Sequence, residues 1–569
     1  LNCITRAGLR IIEIQVQNGY NFGMIDEQER KAWRKKRTYT EDELALARKV
    51  LEALQEGVDM RAALRLYPLP DGGGFIAKHA LVAAYRRLVE QEVWEEDPVL
   101  LAKIRMKPIR TLSGVTTLTV LTKPHPCPGE CVFCPTIEGM PQSYLPDEPG
   151  ARRGVENAFD PYRQVASRLK ALHDVGHPTE KIELLILGGS WSAYPKDYRE
   201  WFLRRCFEAL NGENPDDDQG EVSLYEVQAR NVHAERRNVG LVIETRPDLI
   251  TVEELKLLRK QGVTKIQIGI QSMNDNVLAI NQRGHDSATT VRATALLREA
   301  GFKITAHWMP NLLGSTPNLD REDFARLWED GGVNPDELKI YPCQLLTSSP
   351  LYKFWQDGAY EPYDENVLLD LLADIKTTVP RYCRINRVIR DIPSTNVVEG
   401  NRNTSLRQDV ASEMEKRGQK CQCVRCREIR SQTLAPGDLV YKDFSYQAAG
   451  AEEHFLSFDT QDDKLAGFLR LSLPNEDNAL GIDDLQGAAI IREVHVYGQS
   501  LEVGAEQEGL AQHAGIGKTL IAHAENIALE HGYQKLAVIA AVGTRAYYAA
   551  RGFKLGDLYM TKSLGKMSS

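Results

Sequence analysis

The hydrophobic rhythm changes along the chain. Between residues 26 and 97, Leu44, Ala47, Val50, Leu51 and Leu54 recur at helical spacing, and Thr40 followed by Glu43 has the form of a capping box. This stretch is predicted to be helical. From Val115 onward, short apolar runs at 117–121, 181–187, 240–244, 265–270, 303–308 and 337–340 alternate with amphipathic segments such as 252–261 and 288–300. That alternation predicts parallel strands with crossover helices, an open (β/α) barrel of about six units, with chemistry at the C-terminal ends of its strands. From Asp438 the pattern turns to antiparallel strands at 439–446, 454–458, 465–473 and 488–497. A helix from Gly515, a strand at 535–541 and a helix carrying Tyr547 and Tyr548 follow.

At 569 residues the chain is too long for one core, and its 42% hydrophobic and 26% charged residues suit a soluble protein of more than one domain. No apolar run approaches a membrane span, and residues 1–23 lack a secretory pattern, so a cytoplasmic protein with no membrane partner is expected. Residues 1–24 read as an extra N-terminal segment.

Charge changes the picture once it is divided by region. The net charge is -9, yet residues 380–434 hold twelve Lys and Arg against six Asp and Glu, a local excess of +6. The acidity lies after residue 435. An earlier cationic run, Lys31, Arg34, Lys35, Lys36 and Arg37, is interleaved with Trp33 and Tyr39. Basic zones of this kind suit a polyanion, with solvated charged loops as the bland alternative. Within the linker, Arg384, Arg387 and Arg390 are candidates for an exposed edge that tracks phosphates.

Six of the ten cysteines fall in tight clusters, which favours metal ligation over disulfides. Immediately after the first barrel strand comes Lys123-Pro-His-Pro-Cys127-Pro-Gly-Glu-Cys131-Val-Phe-Cys134. Three thiolates at this spacing can hold three irons of a cubane and leave the fourth open. A zinc site completed by His125 is the competing reading. Further on, Cys421, Cys423 and Cys426 suit structural zinc, with Cys383, or else Cys343, as fourth ligand.

The first cluster and its place after the first strand resemble the radical S-adenosylmethionine superfamily. The resemblance implies a 4Fe-4S cluster at Cys127, Cys131 and Cys134, an external reductant, and S-adenosylmethionine contacts at Gly188, Gly189, Glu244 and Gln271. Near the C-terminus, Gln512-His-Ala-Gly515-Ile516-Gly517-Lys518 opens a helix and suits a pyrophosphate cradle. With the strand and helix order around it, this loop resembles the GNAT acyltransferases. That implies acetyl-CoA held by the loop and by Glu493, Val494, His495 and Val496, with Tyr547 or Tyr548 near the coenzyme sulfur. Packed tyrosines of an amphipathic helix are the alternative.

Both halves in this order, with Lys107-Pro-Ile-Arg110, Lys123-Pro-His125, Arg390-Asp-Ile-Pro393 and Tyr547-Tyr548, resemble the Elongator catalytic-subunit family in its prokaryotic single-chain form. The expected fold is α/β: an N-terminal helical basic region (25–98), a partial (β/α)6 radical S-adenosylmethionine barrel (99–379), a zinc-stapled linker (380–434) and an α+β GNAT domain (435–569). The family implies carboxymethylation of wobble uridine 34 of tRNA at C5. A 5'-deoxyadenosyl radical abstracts hydrogen from the acetyl methyl group, the carbon radical adds to C5, and thioester hydrolysis follows. The resemblance places tRNA on Lys35, Lys36, Arg37, Arg384, Arg387 and Arg390, and the compact cysteine spacing implies no need for accessory Elongator subunits. Other readings are a protein lysine acetyltransferase with Glu493 as base and a structural cluster, and a tRNA-binding module with an idle radical site.

Overall fold

The computed structural model describes residues 39–70, 73–111, 113–214, 222–430, 438–474, 480–497 and 515–565. The chain divides into two compact units, Leu1–Met106 with Asp174–Gly176, and Lys107–His173 with His177–Ser569.

In the first unit, helices Glu41–Gln55, Met60–Leu66, Lys78–Glu90 and Pro98–Ile104 surround their own core. The capping box between Thr40 and Glu43 forms as read. Val50, Leu51 and Leu54 are buried together with Leu81, Val82 and Tyr85. Each fully buried side chain of this size contributes about 1.5–3 kcal/mol, more than helix propensity supplies. Leu100 and Ile104 belong to the same core, so helix Pro98–Ile104 goes with this unit rather than with the barrel.

The second unit opens with β1 (Thr116–Leu121), β2 (Lys181–Leu187), β3 (Arg237–Thr245), β4 (Lys265–Gln271), β5 (Lys303–Trp308) and β6 (Glu337–Ile340). A short ribbon, β7 (Leu345–Leu346) with β9 (Val397–Glu399), flanks β8 (Arg384–Arg387). β1 to β6 are parallel neighbours in chain order, and β8 adds beside β6 as a seventh parallel strand. The expected six-strand barrel is thus extended by residues assigned to the linker. The linker also has no need to fold alone: Cys383, Ile385, Leu406, Val410, Met414 and Val424 are buried in the main core.

Strand alternation decides what the barrel encloses. Leu118, Val120, Ile182, Leu184 and Ile186 pack with Val165, Leu169 and Phe202 of the covering helices. Thr117, Thr119, Lys181, Glu183 and Leu185 line the interior.

The C-terminal sheet has the order β10 (Leu439–Ala448), β11 (Ala451–Thr460), β12 (Leu465–Pro474), β13 (Ala488–Val496), β14 (Lys535–Val538), β16 (Met560–Ser563) and β15 (Lys554–Leu555). Its parallel pair, β13 with β14, stays in register only from Ala488 to Ile491. Beyond that point the strands part, leaving Glu493 to Val496 without a ladder partner on the β14 side. Helix Ile516–Glu530 packs on β12 and β13.

Barrel and C-terminal sheet meet through buried charge. Both oxygens of Asp336 accept 2.7 Å bonds from Arg492, and one also accepts from the Ile304 amide at 2.8 Å. Arg492 reaches Glu453 as well, and Arg470 lies 3.4 Å from Asp336.

The linker arginines are paired largely with carboxylates outside their own segment. Arg381 and Arg427 share Asp459, and Arg417 takes Asp370. The local excess of +6 is therefore not a free basic face.

Candidate active site

The interior of the second unit is a single continuous cavity of about 1890 Å³, and it reaches both sequence motifs. One end holds Cys127, Cys131 and Cys134, on the loop that leaves β1. The loop is pinned from opposite sides: the Val132 amide donates to Asn281 O at 3.2 Å, and the Leu351 amide donates to Val132 O at 2.8 Å. Arg283 Nη1 donates to Cys131 Sγ at 3.5 Å, and Gln142 Nε2 to Cys134 Sγ at 3.7 Å. Burial pushes the Cys134 thiol up to about 11, so a metal must displace its proton.

The two cysteine trios differ in spread. Among the described residues, Cys421, Cys423 and Cys426 have sulfurs within 4.8 Å of one another, whereas the first trio does not meet that limit. A single tetrahedral zinc, with Zn–S near 2.3 Å, holds sulfurs only about 3.8 Å apart. The second trio therefore fits one ion and the first fits thiolates spread over separate irons. Among the described residues His125 joins no group of potential metal ligands with these cysteines; its Nε2 donates to Ala193 O at 3.0 Å and its ring stacks on Tyr194.

Beside the first trio the strand ends carry unmatched polar groups. Gly188 has φ of 124°, and a Cβ there would collide with Thr122 Oγ1. Gly189 lines the cavity, while the Gly188 carbonyl just behind it accepts from Tyr194 and Thr122. Gln271 adopts φ of 67° and its Oε1 is buried without a partner. Arg246 Nη1 and both ring nitrogens of His285 are buried and unpartnered too. Burial, with Arg283 nearby, pushes His285 down to about 4, which keeps it neutral. Orphaned buried groups around a strained residue are what a site for a polar ligand requires. Glu244 accepts from the Tyr144 hydroxyl at 3.0 Å and lies 3.5 Å from Lys339 Nζ.

A ladder of charge lines the wall between the two ends. Glu493 pairs with Lys303 at 2.6 Å, Lys303 with Glu337 at 2.7 Å, Glu337 with Lys265 at 2.9 Å, and Lys265 with Glu183 at 3.2 Å. Higher in the barrel, Lys339 and His307 converge on Gln267.

At the far end, Gly515 caps helix Ile516–Glu530 and Gly517, Lys518, Val494, His495, Val496 and Tyr547 line the cavity. A Cβ on Gly517 would lie 2.9 Å from the Tyr547 hydroxyl. Helix-start amides beside the parted β13 and β14 form an anion cradle with an open backbone edge, which fits a coenzyme pyrophosphate and its arm. Gln512 lies outside the described residues. Ile516 turns into the core, so it can offer only its backbone. Of the two tyrosines, Tyr548 is buried against Phe553, while Tyr547 stands beside Gly517 under the Arg551 guanidinium. Burial pushes the Glu493 carboxyl up, but Lys303 and Arg470 more than offset this and hold it below the usual carboxylate range. Glu493 is thus a paired wall residue and not a poised base. His495 is pushed down to about 4, chiefly by burial, and its Nε2 has no partner.

The family models match on this frame: the Radical SAM superfamily over residues 125–327, the Radical_SAM C-terminal domain over 335–416 and the Acetyltransferase (GNAT) family over 424–553. A tRNA uridine(34) acetyltransferase of Dehalococcoides mccartyi is 41% identical over 80% of this chain and 99% of its own length. Human Elongator complex protein 3 is 36% identical over 82% of this chain and 87% of its own. The solved structure of N-terminally truncated Methanocaldococcus infernus Elp3 superposes with a TM-score of 0.68 at 34% identity, covering 80% of this chain and 100% of that one. The chain belongs to the Elongator protein 3 family. Its radical S-adenosylmethionine domain implies a 4Fe-4S cluster and S-adenosylmethionine, and acetyl-CoA fits its GNAT domain.

In this Elongator protein 3 relative, several expected site residues take other positions. Cys383 is fully buried and does not join the close group of Cys421, Cys423 and Cys426, although its carbonyl accepts from the Val424 amide beside them. The three arginines do not form one exposed edge. Arg384 is bound to Glu428 and Tyr497, Arg390 to Ser143 and Glu148, and only Arg387, paired with Asp391, is substantially open. All three line the cavity from β8 and the turn after it, so they face the site rather than a groove outside it. Lys35, Lys36 and Arg37 lie outside the described residues. Among residues the sequence reading passed over, Arg283, His285, His307 and Lys339 are brought in by the fold. For His307 and Lys339 the signal was present as polar residues at alternate positions of strands otherwise apolar, as in Lys303, Thr305 and His307; Arg283 and His285 lie in the loop between helices Asp275–Ile280 and Ser287–Glu299, where no such pattern marks them.

Proposed function

We propose that the chain carboxymethylates C5 of wobble uridine 34 in tRNA, using S-adenosylmethionine and acetyl-CoA. The observation that carries this is the continuous cavity, which receives Cys127, Cys131 and Cys134 at one end and Gly517, Lys518 and Tyr547 at the other. The cluster and S-adenosylmethionine, when bound and reduced by an external donor, supply a 5'-deoxyadenosyl radical. The chain's own residues do the rest. Gly188, Gly189 and Gln271 present backbone and amide groups to the methionyl and ribose parts. Glu244, oriented by Tyr144 and Lys339, accepts from ribose hydroxyls. The helix start at Gly515 and Gly517 holds the coenzyme pyrophosphate, and Tyr547 bounds the path of its arm. His495, neutral with a free Nε2, can accept a hydrogen bond from the water that opens the thioester and so orient it. Arg387, Arg153 and Arg168 along the lining offer cations to the tRNA backbone. Cys421, Cys423 and Cys426 would hold a zinc ion, which would staple the loop that carries them.

The lysine acetyltransferase reading loses its base, since Glu493 is held by Lys303 and Arg470. The test is anaerobic incubation with tRNA, both co-substrates and a reductant, followed by nucleoside mass spectrometry. Carboxymethyluridine and 5'-deoxyadenosine are expected from the wild type, and neither from Cys131→Ala. Product formation that survives Cys131→Ala overturns the proposal, as does full-rate acetylation of lysine peptides with no change in tRNA.

A further inference from the structure

Away from the cavity, Glu452, His454 and His531 each place a ligand atom within 4.8 Å of the other two. None of the three lines the cavity. Glu452 and His454 are alternate residues of β11 and so share a face. His531 is the C-cap of helix Ile516–Glu530, the helix whose other end forms the coenzyme cradle.

The hydrogen bonds around the two imidazoles leave one nitrogen of each available. His454 Nδ1 is bonded to the Asp443 carboxylate at 2.8 Å, which fixes the proton there and turns Nε2 inward. That Nε2 is buried, has no hydrogen-bond partner and lies 3.7 Å from a Glu452 oxygen; the residue is only 6% exposed. His531 Nδ1 donates to Ile527 O at 2.9 Å, so its Nε2 is likewise the free nitrogen. A ligating histidine whose second nitrogen is held by a carboxylate or a backbone carbonyl is the arrangement that orients imidazoles on a metal.

We propose that Glu452, His454 and His531 form a binding site for a divalent transition metal, zinc being the ion that best suits two imidazoles and one carboxylate. Tetrahedral zinc with ligands near 2.1 Å holds its donors about 3.4 Å apart, so the side chains need close by little more than an ångström. His531 is exposed, and water completes the coordination from that side. The ion ties the end of helix Ile516–Glu530 to β11 and, through Asp443, to β10.

The competing state of the same residues is an imidazolium on His454 paired with Asp443 and Glu452, with Glu453 next to them in sequence. Its pairing with Asp443 more than offsets burial and raises His454 above the usual histidine value. Zinc uptake separates the two. The holoenzyme, with its iron-sulfur cluster in place, is dialysed to equilibrium against micromolar zinc and its bound zinc is measured by mass spectrometry. His531→Gln, an exposed change that leaves the fold intact, is expected to bind one equivalent less than the wild type. Cys421→Ser is expected to lose a different equivalent, so that the double variant loses both. Asp443→Asn keeps all three ligands and is expected to weaken the site about ten- to a hundredfold. Equal zinc content in the wild type and His531→Gln overturns the proposal. So does a thermal midpoint that zinc raises equally in both.

Discussion

At the residue scale, the chemistry rests on side chains and backbones that the fold leaves unsatisfied. Gly188 cannot carry a Cβ without displacing Thr122. Gly188→Ala is therefore expected to lower affinity for S-adenosylmethionine by tenfold or more, read by equilibrium binding, while circular dichroism stays unchanged. Arg283 donates to Cys131 Sγ, and a cation there favours the reduced cluster. Arg283→Gln is expected to shift the cluster potential downward in a redox titration followed by electron paramagnetic resonance; an unchanged potential removes Arg283 from that role. The cysteine loop and the glycines at 515 and 517 were legible in the sequence because their chemistry is encoded within a few neighbouring positions. Arg283 and Lys339 were not, because their partners Cys131 and Glu244 lie far away along the chain. The same distance explains the misplaced arginines. A local count of charge from 380 to 434 contains Glu428 but not Glu148, Asp370 or Asp459, so the neutralising carboxylates are mostly out of view.

At the element scale, the strands were read nearly to the residue, with 181–187, 303–308 and 337–340 matching β2, β5 and β6. Apolar runs bounded by turns identify such strands well. β8 was missed as a barrel strand because Arg384-Ile-Asn-Arg387 has one apolar residue in four, and pairing to β6 is what makes it a strand. Where β13 and β14 part, the gap is kept narrow by Gly517 and Tyr547. Gly517→Ala forces the Tyr547 hydroxyl to move, and a tenfold rise in KM for acetyl-CoA, corresponding to about 1.4 kcal/mol, is expected. The matching control is 5'-deoxyadenosine release without acetyl-CoA, which should not change.

At the scale of the whole molecule, the barrel and the C-terminal sheet of the second unit are locked by charges with no water to shield them. Asp336→Asn leaves Arg492 and Arg470 buried with a neutral partner, and a loss of about 3–5 kcal/mol in denaturant unfolding is expected. Burial pushes the Asp336 carboxyl up, but Arg492 and Arg470 outweigh it and hold it well below the usual range. A carboxyl lowered in this way contributes its full stability above the ordinary value near 3.9 and loses it as pH falls from there toward the folded value. The gap between wild type and Asp336→Asn should accordingly be constant from about pH 5 to 8 and shrink below about pH 4. The shared cavity has a further consequence for turnover. Its two ends are lined by different residues, the cysteine trio at one and the helix start at the other, so a ligand at one end need not pass a ligand at the other to reach its place. Neither co-substrate then has to wait for the other, and product-inhibition patterns of random rather than compulsory order are the expected signature of that layout.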